Sequence, residues 1–214
     1  MPIPVPSTVS GASRLGSPAP ALIAFIAIAL CGCSINLGSL SSEPDTKAAP
    51  GVAQAGSTIA PDDVAASQAA TARAEALVRS GKNEEAVAEF ASALALDPHN
   101  VEALYNRGLL YQSEKQHQPA IDDFTAANGL TPQRAEPLLA RAISYLALEK
   151  VKEAVADLDE ASGDDPQNAQ IWTTRGLAYE RLGDKAKAAS SYARAIAIRP
   201  RDEAARSGLA RVGG

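Results

Sequence analysis

The sequence predicts an all-α chain built from repeated helix pairs. Three observations carry this. Proline returns at Pro98, Pro132, Pro166 and Pro200, each 34 residues after the last. Small residues keep the same step at Ala74, Gly108, Ala142 and Gly176, at Ala86, Ala120, Ala154 and Ala188, and at Ala93, Ala127, Ala161 and Ala195. Large apolar residues keep it too, at Leu77, Tyr111, Tyr145 and Tyr179 and at Phe90, Phe124, Leu158 and Tyr192. Columns in phase over four periods mark units that bury their apolar faces by stacking on one another.

Each unit reads as two amphipathic helices and a proline-bearing turn. Leu104, Gly108 and Tyr111 fall on one helical face, and Ala120, Phe124 and Ala127 on the next. The small residues stand where two axes cross, because small side chains allow close approach. Asp97-Pro98, Thr131-Pro132, Asp165-Pro166 and Arg199-Pro200 end the second helices. The residue before a proline is pushed out of the α region. Gly81 and Gly183 punctuate the turn inside units one and four, with Lys115 and Lys150 there in units two and three. Pro119 and Pro137 fall in first turns, where proline is tolerated. Unit one is the weakest, with Ala70 where the others have Leu104, Leu138 and Trp172. After Pro200 one more helix caps the stack, with Ala204, Ala205, Gly208 and Leu209 inward and Arg201, Asp202, Arg206 and Arg211 outward.

The order of residues within the period resembles the tetratricopeptide repeat (TPR). The fourth copy carries it best, in Trp172, Gly176, Tyr179, Ala188, Tyr192, Ala195 and Pro200. The resemblance covers residues 67–212. It implies a right-handed α-solenoid of four TPR helix pairs over 67–200, as units 67–100, 101–134, 135–168 and 169–202, with 201–214 as capping helix and tail.

Charge and cysteine usage narrow the function. The chain has 214 residues, 20 Lys and Arg against 25 Asp and Glu, and a net charge of −5. Residues 1–33 hold Arg14 as their only charge, so the remainder counts 19 against 25. No basic stripe appears, which argues against a nucleic-acid partner. Both cysteines, Cys31 and Cys33, lie near the N-terminus, so the repeats hold no disulfide or cysteine metal site. No cofactor or metal is expected.

Residues 1–17 are polar and proline-rich, and Ala21 to Leu30 is an unbroken apolar run. A bilayer span needs about 20 residues, so this reads as a secretory signal core. A non-cleaved anchor or a buried helix is the lesser alternative. Leu30-Cys31-Gly32-Cys33 resembles the bacterial lipobox. That resemblance makes 1–32 a signal peptide and Cys33 the lipidated residue; the alternative is an ordinary signal peptide with two stray cysteines. Ser34, rather than aspartate, implies sorting to the outer membrane of a Gram-negative envelope, facing the periplasm, as in enterobacterial lipoproteins. Residues 33–66 then form a lipidated cysteine and a flexible linker, with a coil span of about 30 Å. The alternative for its last residues is a helix from Pro61 onward.

Most columns are structural. Arg73, Arg107, Arg141 and Arg175 also keep the step, and sixteen residues later stand Glu89, Asp123, Asp157 and Ser191. These are expected to pair across the two helices of a unit. In TPR domains the first helix of each pair lines the concave face. By that register, its exposed positions include Gln68, Thr71 and Glu75, and a partner-binding set of Tyr105, Asn106, Leu109, Leu139, Ile143, Leu146, Thr173 and Leu177. The apolar middle suits a peptide or helix with hydrophobic anchors. Equally, Leu139, Ile143 and Leu146 are covered by the superhelix itself or by a second copy, a homodimer. The carboxylate clamp of TPR chaperone cofactors is not matched, because Thr71 and Glu75 replace its first lysine and asparagine and only Asn106 agrees.

Catalysis finds little support. His99 and His117 have no partner at ligand or triad spacing, and Asp122-Asp123 and Asp164-Asp165 read as solvated charge. The expected function is non-catalytic: an envelope lipoprotein that binds other proteins and meets the membrane only through its lipid. By resemblance it is an adaptor similar to NlpI-type TPR lipoproteins, which dock a periplasmic protease. The alternatives are an assembly factor of a tight-adherence pilus or secretion system, or a self-associating structural protein.

Overall fold

The computed structural model describes residues 59–213. Cys33, the apolar run from Ala21 and the linker up to residue 58 lie outside them. The helices are α1 (Pro61–Arg79), α2 (Asn83–Leu96), α3 (Val101–Ser113), α4 (His117–Leu130), α5 (Ala135–Ala147), α6 (Val151–Asp164), α7 (Ala169–Leu182), α8 (Lys185–Ile198) and α9 (Glu203–Val212). The described residues therefore form four helix pairs and a ninth helix. Among them no helix is long and apolar enough to cross a membrane.

Local chemistry sets each boundary. Pro61 opens α1 at its first helical position, with Asp62 and Asp63 in the first turn. Proline's missing N–H is harmless there, and the two acids favour the positive end of the helix. Residues 61–66 are thus helical, as in the alternative reading for the end of the linker. Asn100, Asn168 and Asp202 cap α3, α7 and α9 by accepting backbone N–H groups of Ala103, Gln170 and Ala205. Arg134 stands in the same column and makes no such bond to α5.

The turn inside each pair repeats one device. The residues at Gly81, Lys115, Glu149 and Gly183 have φ of 76°, 62°, 58° and 86°. The next N–H reaches back to the column of large apolar residues: Lys82 to Leu77, Gln116 to Tyr111, Lys150 to Tyr145 and Asp184 to Tyr179, at 2.8–3.0 Å. This is a Schellman closure of the first helix. The left-handed residue of unit three is Glu149; Lys150 instead donates the closing bond. At the other end of each pair, Asp97 and Arg199 are extended, and Thr131 and Asp165, with ψ of 69° and 80°, also leave the α region, as the prolines that follow require.

The core is the crossing of small against large residues. Phe90, Phe124, Leu158 and Tyr192 are almost fully buried. A Cβ on Gly108 would stand 2.6 Å from Phe124, and one on Gly176 2.6 Å from Tyr192. Glycine therefore gives these rings their present seats where α3 meets α4 and α7 meets α8, while Ala74 and Ala142 hold the same position in units one and three. Burying a side chain of this size contributes about 1.5–3 kcal/mol. Ala70, for all its small size, is fully buried, and Trp172 is only half-buried, its indole N–H donating to the Pro166 carbonyl at 3.0 Å.

The cap differs from expectation in two residues. Ala205, Gly208 and Val212 face inward, whereas Ala204 is exposed. Asp202 is not outward: it caps α9 and lies 2.9 Å from the Thr173 hydroxyl. Arg211 reaches back to Glu180 with two bonds of 2.8 and 2.9 Å, and Tyr192 Oη donates to the same carboxylate at 2.7 Å.

Candidate protein-binding groove

The arginine column pins the two helices of each unit and, in units three and four, also reaches the unit before. Arg73 pairs with Glu89, Arg107 with Asp123 at 2.8 and 2.7 Å, and Arg141 with Asp157 at 2.8 and 2.8 Å. Where serine replaces the acid, Arg175 donates to Ser191 at 2.9 Å and to Asp159 of the preceding unit at 2.7 Å. Arg141 likewise reaches back to Thr125 at 3.0 Å. Arginine's planar fork makes such two-sided clamps possible. In units two to four these partners engage the guanidinium and the column serves as structural pinning, whereas Arg73 is 62% exposed and bonds Glu89 through Nε alone. Asp123 of the first acidic pair is thereby buried in an ion pair, while Asp122 remains exposed.

The inner face follows from which helices meet. The first helices contact one another in series, α1 with α3, α3 with α5, α5 with α7 and α7 with α9. Among the described residues the second helices α2, α4, α6 and α8 make no such contacts with each other. The row α1, α3, α5, α7 is therefore the closely spaced, concave side.

Besides a cavity at the ends of α5 and α7, lined by Leu146, Ala147, Glu149, Val151 and Arg181, two open on the row towards its start. One, of about 340 Å³, lies between α1 and α3 and is lined by Glu75, Val78, Arg79, Phe90, Asn106, Leu109, Leu110 and Ser113. The other, of about 240 Å³, lies between α3 and α5 and is lined by Tyr105, Leu109, Gln112, Glu136, Leu139, Ala140, Ile143, Asn168 and Gln170. Leu109 belongs to both and is 37% exposed. Tyr105 is half-buried, its ring tilted against Phe124 at 5.8 Å. Burial raises the Tyr105 phenol above its ordinary pKa, and the Glu136 carboxylate adds to the rise.

The expected binding residues divide. Tyr105, Asn106, Leu109, Leu139 and Ile143 line the two cavities. Leu177 is partly buried against the central core and lines neither. Leu139 and Leu146 were expected at exposed positions but are only 9% and 5% exposed, because α5 is flanked by helices on both sides and its inner face sinks into the core. Thr173 lies 2.9 Å from both Asp202 and the Ala169 carbonyl, so its hydroxyl is occupied. Thr71 is buried as well, bonded with Ser67 and Asn100 in the junction between units one and two. Asn106 donates to Glu75 at 2.8 Å, so an acid and its partner stand where a carboxylate clamp would need donors.

Val78 is 38% exposed and lines the first cavity, yet it was absent from the expected set. Its signal was available: Val78 is one 34-residue step before Gln112, which lines the second cavity, and two before Leu146.

Comparison with known proteins agrees with this geometry. Family models described as TPR repeat or tetratricopeptide repeat match residues 74–115, 101–134 and 139–203. No curated protein matches the sequence significantly. Among solved structures, the MamA protein is similar with a TM-score of 0.66 and 21% identity, over 68% of this chain and 80% of that one. A thermophilic TPR protein of Thermus thermophilus is similar at 0.55 and 25%, over 68% and 80%. The first TPR of Spaghetti (RPAP3), solved bound to an HSP90 peptide, is similar at 0.53 and 23%, over 55% and 93%. The repeating columns, the helix pairs they fold into and these matches establish that the chain carries tetratricopeptide repeats.

Proposed function

We propose that this protein is a non-catalytic adaptor of the cell envelope, tethered by a lipid on Cys33 and binding another protein in the groove along α1, α3 and α5. Tetratricopeptide repeats generally mediate protein–protein interactions. The observation that carries the reading here is Leu109, an exposed aliphatic side chain set between two cavities on the concave row. Apolar pockets with a few polar groups at the rim are what an anchored peptide uses. The finer assignment is docking of a periplasmic protease, in line with the resemblance to NlpI-type lipoproteins, ahead of pilus or secretion-system assembly.

Two measurements test it. Mass spectrometry of the mature protein is expected to show acyl chains on Cys33 and none after Cys33→Ala. Affinity capture from solubilised envelope with the full chain is expected to retain a protein that Leu109→Glu/Ile143→Glu releases. Capture unchanged by that variant, with its helical content intact, would place the interaction elsewhere.

A further inference from the structure

We infer that the occupant of this groove is an extended cationic peptide, with two apolar side chains about three residues apart and flanking lysine or arginine. The inference rests on the groove reading above and adds the chemistry of the partner.

The spacing comes from the two cavities. They lie in successive gaps of one helix row, with Leu109 as the ridge between them. Neighbouring helix axes stand about 8–10 Å apart. An extended polyproline II chain advances about 9 Å in three residues and returns to the same face. Two anchors three residues apart therefore reach both cavities across Leu109, whereas a helix would need about six residues for the same rise.

The charge comes from the rim and from the wider chain. Glu75 borders the first cavity and Glu136 the second, and Glu102 and Glu136 occupy the same exposed first-turn position one repeat apart. Arg79 and Arg134 sit 3.9 and 3.6 Å from Glu75 and Glu136 and offset much of their charge, so the attraction comes chiefly from Glu102 and from the net charge of the first three units. Residues 61–168 carry nineteen acids against nine basic side chains, whereas residues 169–213 carry four against nine. The field thus draws a cation to the first three units and repels it from the last. An acidic tail would meet the reverse, with Glu75 already holding Asn106.

Random dodecapeptides displayed on phage and panned on the full 214-residue chain test this. Two variants run in parallel, Glu102→Lys/Glu136→Lys and Leu109→Ser/Ile143→Ser, each checked for unchanged helical content by circular dichroism. The expected result is enrichment of Lys and Arg beside two apolar positions, with affinity reduced about tenfold or more by either variant. Selection of neutral or acidic peptides that lose binding only with Leu109→Ser/Ile143→Ser overturns the cationic assignment and leaves the groove standing. Peptides indifferent to Leu109→Ser/Ile143→Ser, or no selected peptide at all, overturn both.

Discussion

Arg107 and Asp123 face each other across α3 and α4 through two parallel hydrogen bonds of 2.8 and 2.7 Å. Their side chains are only 20% and 7% exposed, against 62% and 26% for the equivalent Arg73 and Glu89 of unit one. A double-mutant cycle, Arg107→Met with Asp123→Leu, is expected to show a coupling of about 1–3 kcal/mol. The same cycle on Arg73 and Glu89 is expected to give about 0–1 kcal/mol, because exposed pairs are screened. Urea denaturation monitored by circular dichroism measures both, and equal couplings would contradict the burial argument.

Tyr192 lies between two glycines. A Cβ on Gly208 would come within 2.2 Å of its ring, and one on Gly176 within 2.6 Å. Gly176→Ala and Gly208→Ala are each expected to destabilise by about 1–3 kcal/mol through overpacking. Gly163→Ala, near the end of α6 with open space around it, is expected to stabilise by up to about 1 kcal/mol. Thermal or urea unfolding of the three variants separates close packing from helix propensity.

Lys115 and Glu149 occupy left-handed backbone at φ 62° and 58°, where Gly81 and Gly183 stand in the other two units. Side chains with a Cβ are strained in this region. Lys115→Gly and Glu149→Gly are expected to raise stability by up to about 1 kcal/mol each, although neither touches the core. A fall in unfolding midpoint for both would show that their side chains contribute more than the strain costs.

Glu180 gives the domain an acid-sensitive clasp. Hydrogen bonds from Arg211 and Tyr192 lower its carboxyl from 4.5 to about 2. A folded-state value below the unfolded one means stability that is fully present above pH 4.5 and is lost as pH falls toward 2. The same contacts, with burial as the larger cause, raise the Tyr192 phenol. Between about pH 5 and pH 2.5 the wild type is expected to lose more stability than Glu180→Gln, whose clasp does not titrate. Parallel slopes for the two proteins would remove Glu180 as a contributor.

Much of this was legible in the sequence because one period governs both chain and structure. Phe124 against Gly108, and Arg107 against Asp123, are relations at fixed offsets, so the columns disclose them. What the period does not disclose is depth. Leu139 and Leu146 lie on the inner row as read, but the row is narrow and neighbouring helices fill it at α5. Asp202 was read as outward because a capping acid beside Pro200 resembles solvated charge. Its bond to Thr173 becomes visible only beside the Asn100–Thr71 bond, which has the same 29-residue offset. Glu149, not Lys150, keeps the 34-residue step from Gly81 through Lys115 to Gly183, so the period marks the left-handed residue even where it is not glycine. Cys33 and the linker lie outside the described residues.

Every helix here packs only on the next one or two along the chain. Among the described residues no contact joins the two ends, so no long loop has to close before the structure is rewarded, and chains of this kind fold quickly. Folding can begin at any junction and spread in both directions. The ends, each with one neighbour missing, are expected to open first, with amide exchange running from fast at α1 and α9 to slow at α4 and α5. Breathing is thereby kept away from α3 and α5, which wall the second cavity, and falls instead on α1, which walls the first.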